Sequence, residues 1–458
     1  MVAVCVARRA WRIAPILTTC LLLALEAAPF VGAQVQSAAD ITETGGARAP
    51  IVITLRDAIE RAKANDAKFH AALTELGIAH QDVVQSRAGL LPNVNYNMGY
   101  IYTEGGGNPD FAGGRYIANN GVHEYVAQGN VHQIFSPGMI AEHRTVEAAE
   151  ALAGAKSEVA IRGLLVTVVE AYEGYVVAQR KYANAQRAAA EASHFLDISR
   201  KLEKGGEVAN SDVIKAKIQA QQQERSLRDA TLSMNKGRLD LAVLLFPNFD
   251  ENFSVVDDLS APEALPPFVE VNATATKNNP DVRAAMATLR QSDQQVKSAW
   301  AGMLPSLAAD YFYGIDANQF AARDPNGFHN LGYSATATLQ LPIWNWGSGY
   351  SKVKQADLRR QQAHLELSAA QRQLLANLKA DYEEARISRE ELDSLHQSAE
   401  LAAESLRLTM LRYQAGESSV LEVVDAQNTL TQARNAYDDG QLRFHVAMAN
   451  LQTLTGSF

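Results

Sequence analysis

Four stretches of this chain alternate between apolar and polar residues with a period of two. In "NVNYNMGYIY" the apolar row is Val94, Tyr96, Met98, Tyr100 and Tyr102, and Asn93, Asn95 and Asn97 fill the gaps. In "GYSATATLQLPI" Tyr333, Ala335, Ala337, Leu339, Leu341 and Ile343 alternate with Ser334, Thr336, Thr338 and Gln340. Leu307, Ala309, Tyr311, Tyr313 and Ile315 alternate with Ser306, Asp310 and Asp316, and a fourth stretch covers about 124–135. Period two places one row on each face of a strand, so each stretch predicts a strand of about ten residues. The four fall at about 93–103, 124–135, 306–316 and 332–343. A tyrosine-bearing apolar row of that length suits either an amphipathic sheet on a soluble core or a barrel strand facing lipid.

Elsewhere the period is helical. Helices are predicted over Thr54–Gly89, ending at "LLP", over Met139–Glu203, and onward to Phe246. Past the middle of the chain come a helix to Gly302, another over Gly347–Tyr413 and a last one to Leu454. At ~1.5 Å per residue the two longest reach about 100 Å. Helices of that length are stable only when packed side by side. Pro92 cannot continue the helix before it, and glycines punctuate the chain at Gly205-Gly206 and Gly416.

The chain is a duplication. "ANDAKFHAALTELGIAHQDVVQSRAGLLPNV" from Ala64 aligns with "KNNPDVRAAMATLRQSDQQVKSAWAGMLPSL" from Lys277, pairing Asn65 with Asn278, Leu91 with Leu304 and Pro92 with Pro305. Further on, Tyr172-Glu173 aligns with Tyr382-Glu383, and Gly206-Glu207 with Gly416-Glu417. The organisation expected is a first repeat over 51–246, a Pro- and Asp-rich linker over 247–275, and a second repeat over 276–458.

Before the repeats, Arg8, Arg9 and Arg12 precede the apolar run around "LLLAL", and "VGA" precedes Gln34. This is the layout of a cleavable export signal over 1–33, with cleavage after Ala33, followed by a flexible segment over 34–50. Cys20 stands before the apolar run, so no lipid anchor is expected. Both cysteines lie in that signal, which removes disulfides, zinc–thiolate sites and cysteine nucleophiles from consideration. Without residues 1–33 the chain has 39 basic and 50 acidic residues. An acidic chain without basic clusters is a poor nucleic-acid binder. No later stretch of about 18 apolar residues predicts a transmembrane helix. "KGGEVANSD" lacks the spacing of a phosphate loop. His123 and His132 fall on opposite strand faces, and His70 and His80 lie roughly 80° apart around a helix, so neither pair shares a metal ion. No enzymatic constellation and no cofactor are expected. Trp344 and Trp346, just after a predicted strand, suit an interfacial aromatic belt or ordinary packing.

An export signal, four amphipathic strands and no other core favour lipid as the partner of the apolar rows. Four strands cannot close a barrel, and hydrocarbon tolerates no open sheet edge. Assembly with further copies is therefore required, and cyclic closure would continue a barrel into a tube of long helices. Eight strands from a dimer or more from a larger ring satisfy the physics equally.

The duplicated helix–"LLP"–strand–strand–long helix–glycine turn–helix unit, with "PNV", "LPIWNWG" and the "G…EVVDAQ" turn, resembles the TolC-like outer-membrane efflux proteins over about Ile51–Leu454. The resemblance implies a mainly α protein with a small transmembrane β portion. It implies a homotrimer whose 12-stranded β-barrel in outer-membrane lipid continues into a periplasmic α-helical barrel. It implies an exit duct that passively conducts substrates from an inner-membrane pump and a periplasmic adaptor, in efflux or type I secretion. A structural coiled-coil envelope protein is the other reading, but it has no use for lipid-facing rows.

The resemblance also implies a site. Acids six and nine residues after the turn glycine form the pore constriction, here Glu422 and Asp425. Spacing of three puts both on one helix face. Ser419 and Glu422 also fit a capping box, which explains Glu422 without a pore. Asp212 and Tyr413 match a pair whose hydrogen bond holds neighbouring coils shut, and the base expected two residues after the glycine is Ser418. The tips at Gly205, Gly206, Glu207, Gly416 and Glu417 are where the adaptor is expected to dock.

Overall fold

The computed structural model describes residues 50–102, 123–248, 251–259 and 264–456. The export signal with Cys5 and Cys20, most of the segment over 34–50, the end of the first strand at residue 103 and the terminal Phe458 lie outside them. Strand β1 (Ile51–Ile53) leads into α1 (Leu55–Asn65) and α2 (Ala67–Gly89), then β2 (Asn93–Tyr102) and β3 (His123–Phe135). Helix α3 (Pro137–Gly205) turns into α4 (Asn210–Leu245). After β4 (Phe253–Val255) the order recurs as α5 (Phe268–Asn278), α6 (Pro280–Ala301), β5 (Ser306–Ala317), β6 (Leu331–Gln340), α7 (Ser348–Gln414) and α8 (Val420–Thr455). Among the described residues no helix is long and apolar enough to cross a membrane.

The four amphipathic strands form one antiparallel sheet in the order β2-β3-β5-β6. Register makes its two faces chemically distinct. Val94, Val131, Tyr311 and Ala335 stand in one cross-strand row, Tyr96, Gly129, Tyr313 and Tyr333 in the next, and Met98, Ala127, Ile315 and Leu331 beyond. The other face carries Asn93, His132, Asp310 and Thr336, then Asn95, Asn130, Phe312 and Ser334. His132 Nδ1 lies 2.6 Å from Asp310 Oδ1, and His123 Nδ1 lies 2.7 Å from the Tyr100 hydroxyl. Each histidine thus has a local partner, as side chains on separate faces should. Among the described residues the apolar face is largely uncovered: Val94, Tyr96, Met98 and Tyr333 are each 70–76% exposed, and Phe320 meets it at Tyr125. Strands β2 and β6 are both edges. The last strand stops at Gln340, short of the expected 343, because Pro342 has no N–H for a ladder.

Below the sheet, α3 and α7 run 69 and 67 residues, or about 100 Å each. They pack against their hairpin partners α4 and α8 and against each other's repeat, forming three buried clusters. One lies in the first repeat (Val168, Tyr172, Leu241, Leu245) and one in the second (Leu378, Phe444, Leu451). The third gathers the far ends of α3, α4, α7 and α8 around Phe195, Tyr413, Val420 and Val423.

Two expectations change. The helix read as continuous over Thr54–Gly89 is broken at Asp66, where the backbone turns to ψ 118° and the carboxylate accepts the Phe69 N–H at 2.6 Å. The aligned Asn279 does the same for Val282 at 2.9 Å, with Pro280 opening α6. A short polar side chain that caps the next helix competes with helix continuation, and both repeats use it at one point. The stretch 247–275, read as a linker, contains β4 and most of α5. Strand β4 pairs in parallel with β1, and Tyr172 clamps this ribbon: its one hydroxyl proton lies within reach of the Ile53 and Val256 carbonyls, at 3.0 and 2.8 Å, and its oxygen accepts the Val256 N–H at 3.1 Å. Its repeat equivalent, Tyr382, donates to the Pro266 carbonyl at 3.1 Å. Arg180 reaches the Asp257 carboxylate with two N–H groups at 2.7 and 2.5 Å. That hydrogen-bonded guanidinium holds Asp257 below the usual aspartate range.

Gly314 fixes how closely β3 and β5 approach. A Cβ there would stand 2.1 Å from the Ala127 carbonyl oxygen and 2.6 Å from Gln128 Cα, both backbone atoms that cannot swing aside. Gly314→Ala should displace β5 and cost about 1–3 kcal/mol. The expected readout is a lower unfolding temperature of the detergent-purified protein, against an unchanged value for Gly99→Ala, where a Cβ meets nothing.

Candidate channel aperture

Both glycine turns close in the same way. Gly206 and Gly416 adopt left-handed φ of 77° and 78°. The Gly206 N–H donates to the Glu203 carbonyl and Glu207 N–H to Leu202, each at 2.9 Å. The Gly416 N–H donates to Tyr413 at 3.1 Å and Glu417 N–H to Arg412 at 2.9 Å. This paired pattern satisfies the last carbonyls of α3 and α7 and needs a residue without a Cβ at the reversal. The Phe195–Tyr413–Val423 cluster brings the two turns to one end, at the full length of the long helices from the sheet. There Phe195 is fully buried, and its ring meets that of Tyr413 edge-on at 5.0 Å. Polar bridges continue the contact between repeats, with Gln219 and Gln223 donating to Asn428 Oδ1 at 3.0 and 3.2 Å.

On this scaffold α8 buries Val420, Val423, Ala426, Gln427 and Leu430 and leaves Leu421, Glu422 and Asp425 exposed. Glu422 and Asp425 therefore share an outward face. Their surroundings differ. Glu422 completes a capping box: its Oε1 accepts from the Ser419 backbone at 3.2 Å and the Ser419 hydroxyl at 3.0 Å. Its other oxygen accepts from the Ser418 hydroxyl at 2.9 Å. Arg412 Nη1 stands 3.9 Å away. The Ser419 backbone bond, the two hydroxyls and the arginine together hold Glu422 below the usual glutamate range. Asp425 makes no hydrogen bond or ion pair among the described residues.

Within one chain, the expected Asp212–Tyr413 hydrogen bond is not made. The Tyr413 hydroxyl is buried against Ser199 Oγ at 3.0 Å, and Asp212 pairs with Lys215 Nζ at 3.1 Å. The reason is positional. Tyr413 points into the apolar cluster between repeats, and Lys215, one turn along α4, takes the Asp212 carboxylate first. Sequence reasoning passed over Lys215 and Arg412. Aligning the turns shows that Lys215 occupies the position of Asp425 and Asp212 that of Glu422, so one repeat sets acid beside base and the other acid beside acid. Among the described residues no group of three or more metal-ligating side chains could hold a metal ion.

The "Outer membrane efflux protein" family model matches residues 272–457, the second repeat with this turn inside it. The second repeat thus matches the outer membrane efflux protein family. Similarity to known proteins extends through the first repeat as well. The chain is 28% identical over 307 residues to the cobalt-zinc-cadmium resistance protein CzcC of Cupriavidus metallidurans, covering 65% of this chain and 68% of that protein. It is 23% identical over 418 residues to the proteases secretion protein PrtF of Dickeya chrysanthemi, covering 88% of each. Its fold matches the CmeC outer membrane channel of Campylobacter jejuni with a TM-score of 0.78, at 16% identity, over 88% of this chain and 85% of that one.

The capping box gives a test inside this family site. Ser419→Ala removes the hydroxyl that accepts the Glu422 N–H and should cost about 1 kcal/mol. Glu422→Gln should lower stability at neutral pH and converge with wild type in acid. The Glu422 pKa is depressed on folding, so its contribution is present above the ordinary glutamate value and is lost as pH falls through the depressed one. Thermal unfolding of both variants across pH 3–7 checks this.

Proposed function

We propose that the protein is the outer-membrane exit duct of a tripartite efflux or type I secretion system. The observation that carries this reading is the sheet itself. Its outward face is apolar and uncovered, both edges are open, and its strands continue into helices about 100 Å long. Three copies close twelve strands and twelve helix strands into a barrel and a tube, and the apolar rows meet lipid. Trp344 and Trp346, 75% and 89% exposed below β6, sit where an aromatic belt meets headgroups. A scaffold protein would have no occupant for the apolar face. Cargo reaches the tube from an inner-membrane pump through a periplasmic adaptor, which docks on the tips at Gly205, Gly206, Glu207, Gly416 and Glu417. Conduction is passive, and no catalytic residue is assigned.

In the closed tube the constriction is lined by Glu422 and Asp425, but the two acids divide the work. Glu422 is engaged by its own turn, with Ser418, Ser419 and Arg412 beside its carboxylate. Asp425 is unpartnered and supplies most of the field that attracts cations and repels anions. Single-channel recordings in planar bilayers test this. Asp425→Asn should abolish most cation selectivity and block by divalent cations, and Glu422→Gln should reduce them less. Equal currents and block for wild type, Asp425→Asn and the double variant would rule out the constriction. For docking, cysteines at Glu207 and Glu417 should crosslink to the adaptor in cells. Crosslinks confined to positions near the sheet would overturn that assignment.

A further inference from the structure

Where the two repeats meet, midway along α3, a cavity of about 380 Å3 opens between α1, α3, α8 and the segment after β4. Its walls are mainly apolar, including Val169, Val176, Leu259, Phe444 and Met448. Glu173 lines it. The Glu173 side chain is only 8% exposed, and its Oε2 has no hydrogen-bond partner among the described residues. Oε1 has only the His445 Nδ1, at 3.4 Å, too long for a strong charged hydrogen bond. A buried carboxylate left in this state is expensive unless something cationic meets it.

The duplication shows that the fold does not impose this. Glu383, the aligned residue of the second repeat, is exposed and bound by Arg386 one turn along, at 2.6 Å. The position aligned with Arg386 is Val176 in the first repeat. That valine is 1% exposed and forms part of the cavity wall. The first repeat therefore keeps the acid, lacks its base and has an open volume beside it. Asp258 adds a second acid to the lining.

We propose that this inter-repeat cavity binds a small organic cation, a primary ammonium on an apolar body. The ammonium would pair with the Glu173 carboxylate, which lines the cavity, while its hydrocarbon lies against Val169, Val176 and Met448. A bare metal ion suits the site poorly, because one carboxylate among apolar walls cannot replace its shell of oxygen ligands. The volume lies within the range of small-ligand sites. Bound there, the cation touches α3 of one repeat and α8 of the other, and it stabilises the junction between them.

The experiment is thermal unfolding of the full-length protein in detergent at pH 8, titrated with n-pentylamine and, in parallel, with 1-pentanol. Wild type should show a saturable rise of a few degrees with pentylamine and none with pentanol. Glu173→Gln should keep the native assembly and lose the rise. Val176→Arg restores the base present in the second repeat, and should raise the starting temperature and abolish the response to amine. Equal shifts with pentanol, a full amine response in Glu173→Gln, or no shift in wild type would each overturn the proposal.

Discussion

Everything in this molecule follows from a sheet that one chain cannot finish. Four strands present an apolar face and two unpaired edges, and no helix or strand among the described residues covers either. On the proposed outer-membrane reading, each backbone group left unpaired in hydrocarbon costs several kcal/mol, and pairing the edges β2 and β6 on neighbouring copies removes that cost. That closure also decides the helices. Once the strands stand in a ring, the helices leaving β3 and β6 stand in a ring beneath them. The about 100 Å of α3 and α7 then becomes the wall of a tube. The marginal hydrophobicity of these helices fits that duty. Their buried residues are largely alanine, leucine and valine in narrow seams, and solvent or a neighbouring chain takes the rest.

Duplication supplies both the symmetry and the places where the protein departs from it. The turns at Gly206 and Gly416, the breaks at Asp66 and Asn279, and the tyrosine clamps Tyr172 and Tyr382 are the same devices used twice. They build the walls. The departures include the positions proposed to carry chemistry. Asp212–Lys215 faces Glu422–Asp425 across the alignment, and Glu173 beside Val176 faces Glu383 beside Arg386.

Much of this was legible in the sequence because the signals were periodic and long. Alternation over Asn93–Tyr102 and Ser306–Ala317 needs only the two-residue repeat of a strand, and the glycine turns need only the left-handed backbone at Gly206 and Gly416. The capping role of Glu422 was visible as Ser-x-x-Glu. What escaped was local competition. Asp66 looks like one polar residue inside a helix, and only the Asn279-Pro280 pair at the aligned position marks it as a cap that interrupts. The ribbon of β1 and β4 is three residues wide on each side, too short for a pattern. The Asp212–Tyr413 bond was inferred from resemblance, and it is absent within the chain because Lys215 and Ser199 are nearer partners. The burial of Glu173 was illegible because it depends on helices meeting from opposite repeats.

The central claim is that β2 of one copy pairs with β6 of the next in a closed ring of three. The most direct measurement is disulfide trapping in outer membranes. With Cys5 and Cys20 replaced by serine, cysteines at Asn95 or Asn97 on β2 would be combined with cysteines at Ser334 or Thr336 on β6. These positions share the polar face, so at least one pair should fall in register. Non-reducing gels should then show a ladder of crosslinked monomer, dimer and trimer that ends at the trimer. A ladder ending at the dimer, or no intermolecular product from any pair, would contradict the account.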